Sequence, residues 1–150
     1  MIDQYDGDPP SLVSTFSRSH EYYLHNGKSF LEASEDCQNL YRGGNLATFQ
    51  DEDEWNAVKA WLLSDITGWE IWLGYTDQDS EGYWHSVEDG SGMPGFMWPS
   101  AWMTDEPNNS GGDENCGMFK VGGDGVGDDV KGVDVNCGAN YGYVCRRRGT

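Results

Sequence analysis

The sequence predicts an α+β fold: two helices early in the chain, a mainly antiparallel sheet, and a long loop in the middle. Three observations predict it. Residues 29–41 and a stretch starting near Asp51 repeat apolar residues at helical spacing. Short strand-like runs bounded by glycine follow Gly68, and residues 90–115 show no sustained period at all.

The elements follow in order. Residues 1–13 are polar with two prolines and read as a loose N-terminal tail, leaving residues 14–148 as one domain. Residues 16–24 alternate with aromatic emphasis, a strand pattern. In 29–41, Phe30, Ala33, Cys37 and Leu40 fall on one helical face; Ser29 with Glu32 three positions on is a capping box, and Gly43-Gly44 ends the helix. Residues 45–49 form a short extended link. The second helix has acidic residues in its first turn, Trp55, Val58, Trp61 and Leu62 on one face, and stops before Gly68. Residues 70–75 and 82–87 read as strands, and 116–121, the region 130–137 and 141–146 supply the closing ones. A loop as long as 90–115 inside a compact domain is usually functional.

At 150 residues the chain suits one domain with its own core. Seven Trp, eight Tyr and five Phe are too much aromatic surface to leave in water, so disorder is excluded despite a mean hydropathy of −0.70. No apolar run approaches the ~20 residues of a membrane helix. The net charge of −17 opposes nucleic acid, whose phosphates would be repelled. No secretion signal stands at the start, which fits a mature form whose signal has been removed. Four cysteines at 37, 116, 137 and 145 lack any Cys-x-x-Cys pair, and three histidines do not complete zinc spacing. Their even number points to two disulfides and an oxidising, extracellular location, with three pairings open.

The chemistry concentrates in the loop. Asp105-Glu106-Pro107-Asn108-Asn109 is followed by Gly111-Gly112-Asp113-Glu114-Asn115. Carboxylates and carboxamides interrupted by glycine can offer the six to eight hard oxygens that Ca²⁺ prefers. Pro107 fixes the turn between Glu106 and Asn108, and a cis bond there would let both side chains point the same way. Asn108-Asn109-Ser110 is a glycosylation sequon, but a glycan would remove Asn108 from any such role. No Ser-His-Asp or Cys-His arrangement is apparent, so the chain does not read as an enzyme.

From residue 16 to 146 the sequence resembles the C-type lectin-like domain family. The resemblance rests on an ordered set of matches. Cys37 is followed by Asn45-Leu46-Ala47-Thr48-Phe49, and Ile71-Trp72-Leu73-Gly74 is similar to the family's Trp-Ile-Gly-Leu core. Thr76-Asp77 leads to Glu81-Gly82 and Trp84, and Trp102 precedes Glu106-Pro107-Asn108. Glu114 stands eight positions after Glu106 and two before Cys116, and Cys137 and Cys145 close the pattern.

This resemblance implies a C-type lectin-like fold, disulfides Cys37–Cys145 and Cys116–Cys137, and non-enzymatic, Ca²⁺-dependent carbohydrate binding. It makes Glu106, Asn108 and Glu114 ligands of the principal Ca²⁺ and of two sugar hydroxyls. The Glu-Pro-Asn triplet implies mannose, glucose, N-acetylglucosamine or fucose in preference to galactose, with aromatic walls as the source of exceptions. Trp98 is the wall expected to stack on sugar; core packing is expected of Trp102. Asp77, Glu81, Asn109, Glu114 and Asn115 match an auxiliary Ca²⁺ site. Shallow single sites imply oligomers or surface display for avidity.

One part departs from the family. Where members carry Trp-Asn-Asp before the third cysteine, an ungapped reading places Gly132-Val133-Asp134, keeping Asp134 as a ligand but not the Asn. A shifted reading uses Asp128-Asp129-Val130 instead, so Asp128, Asp129 and Asp134 all stand as candidate ligands. Val133 also motivates the rival expectation of the same fold with a degenerate sugar site that binds protein or ice.

Overall fold

A computed structural model describes residues 20–109, 112–123 and 125–148, the last by its backbone. The sequence tail 1–13 and the first four residues of the strand predicted over 16–24 lie outside these residues, and the rest of that strand falls within the described chain. Strand β1 (His20–Lys28) pairs antiparallel with β7 (Tyr141–Arg148), so the two ends of the described chain close on each other. Helix α1 (Phe30–Leu40) begins at the expected capping box, Ser29 Oγ accepting from Glu32 N and Glu32 Oε1 from Ser29 N. Such a cap is worth about 1 kcal/mol. Strand β2 (Asn45–Leu46) joins β7, and helix α2 (Glu52–Asp65) follows an Asp51 cap. Trp55, Val58 and Leu62 are buried as the periodicity predicts, and Trp61 is partly buried against the same cluster.

Strand β3 (Glu70–Thr76) is buried from Ile71 onward on both faces, because it lies between β7 and β5 (Cys116–Gly123) in the order β1-β7-β3-β5. Strand β6 (Gly127–Val135) is the far member. All pairings are antiparallel except β3 with β7, which makes the sheet mixed at that one seam. The strand expected over 82–87 shrinks to β4 (His85–Ser86). Its first residues turn instead: Gly82 has a φ of +85°, and Tyr83 N bonds Ser80 O at 2.9 Å.

Cys37–Cys145 ties α1 to β7, and Cys116–Cys137 closes the base of the long loop, the pairing that the resemblance implies. The loop is then fastened to β6 in its middle. Ala101 O accepts from Gly132 N at 2.7 Å, and Met103 N donates to Gly132 O at 2.9 Å. Only glycine permits this approach. A Cβ at residue 132 would stand 2.8 Å from the Phe119 ring and 3.1 Å from Trp102. Trp102 therefore packs into the core, edge-on to Trp84 and Trp98 and tilted against Phe119, with the residues that follow it held over β6.

Candidate metal and ligand site

Two residues beyond Gly132, Asp134 points to the same side of β6 and is 3% exposed. Its carboxylate accepts from the backbone N–H of Asn108 at 2.9 Å and of Asn109 at 2.5 Å. A buried carboxylate is tolerated when its lone pairs are filled by such donors. The Glu106–Pro107 peptide is cis, and the side chains on either side of Pro107 meet: Asn108 Nδ2 donates to Glu106 Oε2 at 3.1 Å. Asn109, with a φ of +47°, accepts from Glu114 N through Oδ1 at 3.0 Å. Residues 106–109 are thus strapped to the sheet through Asp134, and Glu114 is drawn to the loop through Asn109.

The electrostatics of this cluster are those of acids held together. Glu106 Oε1 is buried without a hydrogen-bond partner among the described residues. Burial, then the hydrogen bond and charge of Asp134, then the charge of Glu114 push the Glu106 carboxyl up to about 7. The cluster thus favours a proton or another positive charge.

A cavity of about 530 Å³ opens here, with Glu81, Trp98, Asp105, Glu106, Asn108 and Asp134 among its lining residues. Asp105, with a φ of +67°, was not singled out from sequence, although its place beside Glu106 was the available signal. Trp98 stands 42% exposed at the rim, held edge-on to Trp102 with ring centroids 6.2 Å apart.

Of the residues matched to an auxiliary site, Asp77, Glu81 and Asn115 meet. Asp77, buried, accepts from Gly82 N at 2.8 Å, and its own N–H donates to Asn115 O at 3.0 Å. With its amide turned to suit its neighbours, Asn115 donates to Glu81 Oε1 at 3.1 Å and Asp77 Oδ1 at 3.0 Å. Glu81 is raised above its ordinary range by slight burial and by the hydrogen bond and charge of Asp77.

The fold does not bring Asp128 and Asp129 to this cluster; of the three candidate acids, Asp134 is the one that lies beside Glu106. They lie at the opposite end of β6, Asp129 five positions from Asp134, or roughly 16 Å at ~3.3 Å per residue. Asp128 is exposed, and Asp129 pairs with Lys59 of α2 at 3.2 Å and with Lys131 at 3.8 Å. Val133 faces away from Asp134 and packs, partly buried, against the cluster around Trp72.

The donor set suits Ca²⁺. Glu106, Asp134, Asn108 and Glu114 offer only hard oxygens, and one of those oxygens is buried and unpartnered. Among the described residues no three His, Cys, Asp or Glu groups stand gathered as a ready cage. Ca²⁺ also draws on carboxamide oxygens, so the carboxylate count alone does not decide the fit.

A model of the lectin C-type domain matches residues 26–147. Bovine tetranectin is 34% identical over 120 residues, which are 79% of this chain and 54% of tetranectin. The chain therefore spans about half the length of that relative. C-type lectin domain family 4 member M of Nomascus concolor is 31% identical over 89% of this chain and 30% of its own length. Among solved structures, the carbohydrate-recognition domain of cow CD23, studied in the presence of a GlcNAc2Man3 oligosaccharide, superposes with a TM-score of 0.71 and 27% identity, covering 95% and 96% of the two chains. The trimeric Kupffer cell receptor Clec4f superposes at 0.66 with 26% identity over 89% and 82%. Members of this family are generally non-enzymatic and Ca²⁺-dependent, and homologues bind glycans. With its fold, its two disulfides and its matched sequence in agreement, the chain belongs to the C-type lectin domain family.

Proposed function

We propose that this domain, spanning residues 14–148, is a Ca²⁺-dependent carbohydrate-recognition module. Glu106, Asn108, Glu114 and Asp134 would hold the principal ion. The observation that carries the reading is the meeting of Glu106 and Asn108 above buried Asp134, with a Glu106 oxygen left unpartnered among the described residues. When bound, Ca²⁺ supplies positive charge to the acids and coordination positions for two neighbouring sugar hydroxyls. The carboxylates of Glu106 and Glu114 accept from those hydroxyls and the Asn108 amide donates to them, so each hydroxyl is used in both directions. Asp134 fixes the loop backbone, which sets the spacing of these groups before ligand arrives.

The Glu106-Pro107-Asn108 triplet supports mannose-type sugars, and the oligosaccharide present with the cow CD23 domain contains mannose and N-acetylglucosamine. Trp98 offers an exposed ring beside the cavity for the apolar face of a sugar. Asp77, Glu81, Asn109, Glu114 and Asn115 would hold an auxiliary Ca²⁺. Disulfides and the family support an extracellular location, and the trimeric Clec4f structure supports self-association for avidity. No helix among the described residues is long and apolar enough to cross a membrane.

Glycan-array binding with Ca²⁺ and with EDTA tests this. Mannose-type glycans are expected to bind only with Ca²⁺ and to be displaced by methyl mannoside more readily than by methyl galactoside. Val133, an apolar residue where the family places an oxygen ligand, favours the rival reading of a degenerate site. Binding to a protein or to ice with no Ca²⁺-dependent glycan would establish that rival.

A further inference from the structure

A second cavity adjoins the first. It holds about 240 Å³ and is lined by Gly82, Tyr83, Trp84, Gly92, Met93 and Trp98. Gly82, Trp84 and Trp98 line both cavities, so the acid-lined site and this one form a continuous trough divided by the Trp98 edge. Its character is opposite to its neighbour's: aromatic rings, a thioether and glycine, with no carboxylate on the wall.

Its walls are fixed in place. The Tyr83 ring stacks on His85 at 5.5 Å with planes 15° apart. Met93 N donates to Trp84 O at 2.9 Å, and Trp98 N to Pro94 O at 3.0 Å. Yet Tyr83 and Trp98 are two of the four large apolar side chains left exposed among the described residues, at 50% and 42%. Two exposed aromatics lining one preformed hollow mark a ligand site more than a packing defect. Gly92 keeps the hollow open, since a Cβ there would stand 3.3 Å from the Tyr83 hydroxyl. A dry apolar cavity of ~150 Å³ is enough for a benzene ring. This one has room for a ring and a short linker, and Met93 can adjust to its shape.

We propose that the Tyr83–Met93–Trp98 cavity is an aglycone subsite: it takes an aryl or short alkyl group attached to the sugar held at Glu106 and Asn108. This rests on the carbohydrate reading above and names the class of glycoside that the site prefers, a sugar carrying an apolar substituent. The polar trough orients the sugar hydroxyls, and the shared Trp98 edge leads the substituent into the apolar hollow.

The test is calorimetric titration of the full chain, in millimolar Ca²⁺, with methyl and phenyl α-mannosides and with methyl and phenyl β-galactosides. Burying a ring is expected to tighten the phenyl member of the bound pair by about tenfold over its methyl partner. Tyr83→Ala, which removes one wall, and Gly92→Ala, which narrows the hollow, are expected to erase that ratio while the methyl glycoside keeps its affinity. Thermal melts of both variants check that they fold. Equal affinities of the methyl and phenyl glycosides in the parent would overturn the subsite and leave the sugar site standing. So would a phenyl advantage that survives both variants. Failure of all four glycosides to bind would overturn the carbohydrate reading itself. In that case saturation-transfer NMR with benzyl alcohol reports on the hollow alone: a signal lost in Tyr83→Ala shows an apolar site without sugar, and no signal shows none.

Discussion

Strand β6 carries acids at both ends, and their fates differ. Asp129, near the hairpin, loses some water, but the Val130 N–H, Lys59 and Lys131 more than offset that and hold its carboxyl below the ordinary range. At the other end Asp134 is paired with backbone N–H groups and with another acid, and its neighbour Glu106 is pushed the opposite way. One end is a finished ion pair. The other is a carboxylate cluster whose countercharge the described side chains do not supply to Glu106. An acid that matters for structure brings its own cation, whereas an acid kept for a ligand is held in position and left short of one.

The largest effect that separates the two ends is loss of ligand. Asp134→Ala is expected to remove Ca²⁺-dependent sugar binding, by at least the ~100-fold that losing even an outer partner of a metal can cost. The paired change Asp128→Ala with Asp129→Ala is expected to leave affinity within twofold. Calorimetric titration with Ca²⁺ and then methyl mannoside measures both, and parental affinity in Asp134→Ala would mean that the wrong end has been chosen.

Next in size is the stability gained from the ion. At free Ca²⁺ 100-fold above Kd, the folded state gains about 2.7 kcal/mol. For a domain of this size that raises Tm by roughly 5–10 °C. The parent and the Asp128/Asp129 variant are expected to show the shift, and Asp134→Ala to lose it. A parental melt indifferent to millimolar Ca²⁺ and to EDTA would refute the metal site.

The two ends also predict opposite pH dependences in chelator. Glu106 is raised in the folded protein, so its favourable contribution is present below its unfolded value near 4.5 and is lost as pH rises to about 7. Apo Tm is therefore expected to fall over that window, and Glu106→Gln to flatten the fall. Asp129 is lowered, so its contribution is present above the unfolded value near 3.8 and is lost on acidification below it. Melts from pH 3 to 8 of the parent and the two single variants, Glu106→Gln and Asp129→Asn, resolve the signs; an unchanged slope in Glu106→Gln would remove the case for a repelled carboxyl.

The smallest effect is the cost of breaking the Asp129 pair. Asp129→Ala is expected to lower stability by about 0.2–1 kcal/mol, the range of partly exposed ion pairs. Urea unfolding measures it, and a loss well above that range would show that Lys59 and Asp129 anchor α2 to β6 more firmly than a surface pair does.

Much of this was legible in the chain. The Ser29–Glu32 cap, the Trp55–Val58–Leu62 face and the buried run after Glu70 follow from local rules of capping and period, and each formed as expected. The strand expected over 82–87 formed only as β4, because Gly82 and the Ser80–Tyr83 turn use the residues that its pattern assigned to pairing. Within the loop, composition pointed to an oxygen-rich segment, and the family resemblance singled out Glu106, Asn108 and Glu114 within it. The choice between Asp134 and Asp128-Asp129 could not be made, since neither reading completes the Trp-Asn-Asp motif and the two differ by a gap.

By itself, then, the sequence determined the helices, most of the strand segments, the extent of the loop and the residue types that make its chemistry oxygen-rich. These depend on neighbours a few positions apart, where propensity and periodicity act. Only the tertiary structure decided which acid faces Glu106, and that an aromatic hollow lies beside it. Both depend on Gly132 letting Trp102 settle onto β6, a contact between residues thirty positions apart that brings 106 over 134. Local sequence carries no record of such a distance, because the attraction that closes it is packing in the core and not any preference of the loop.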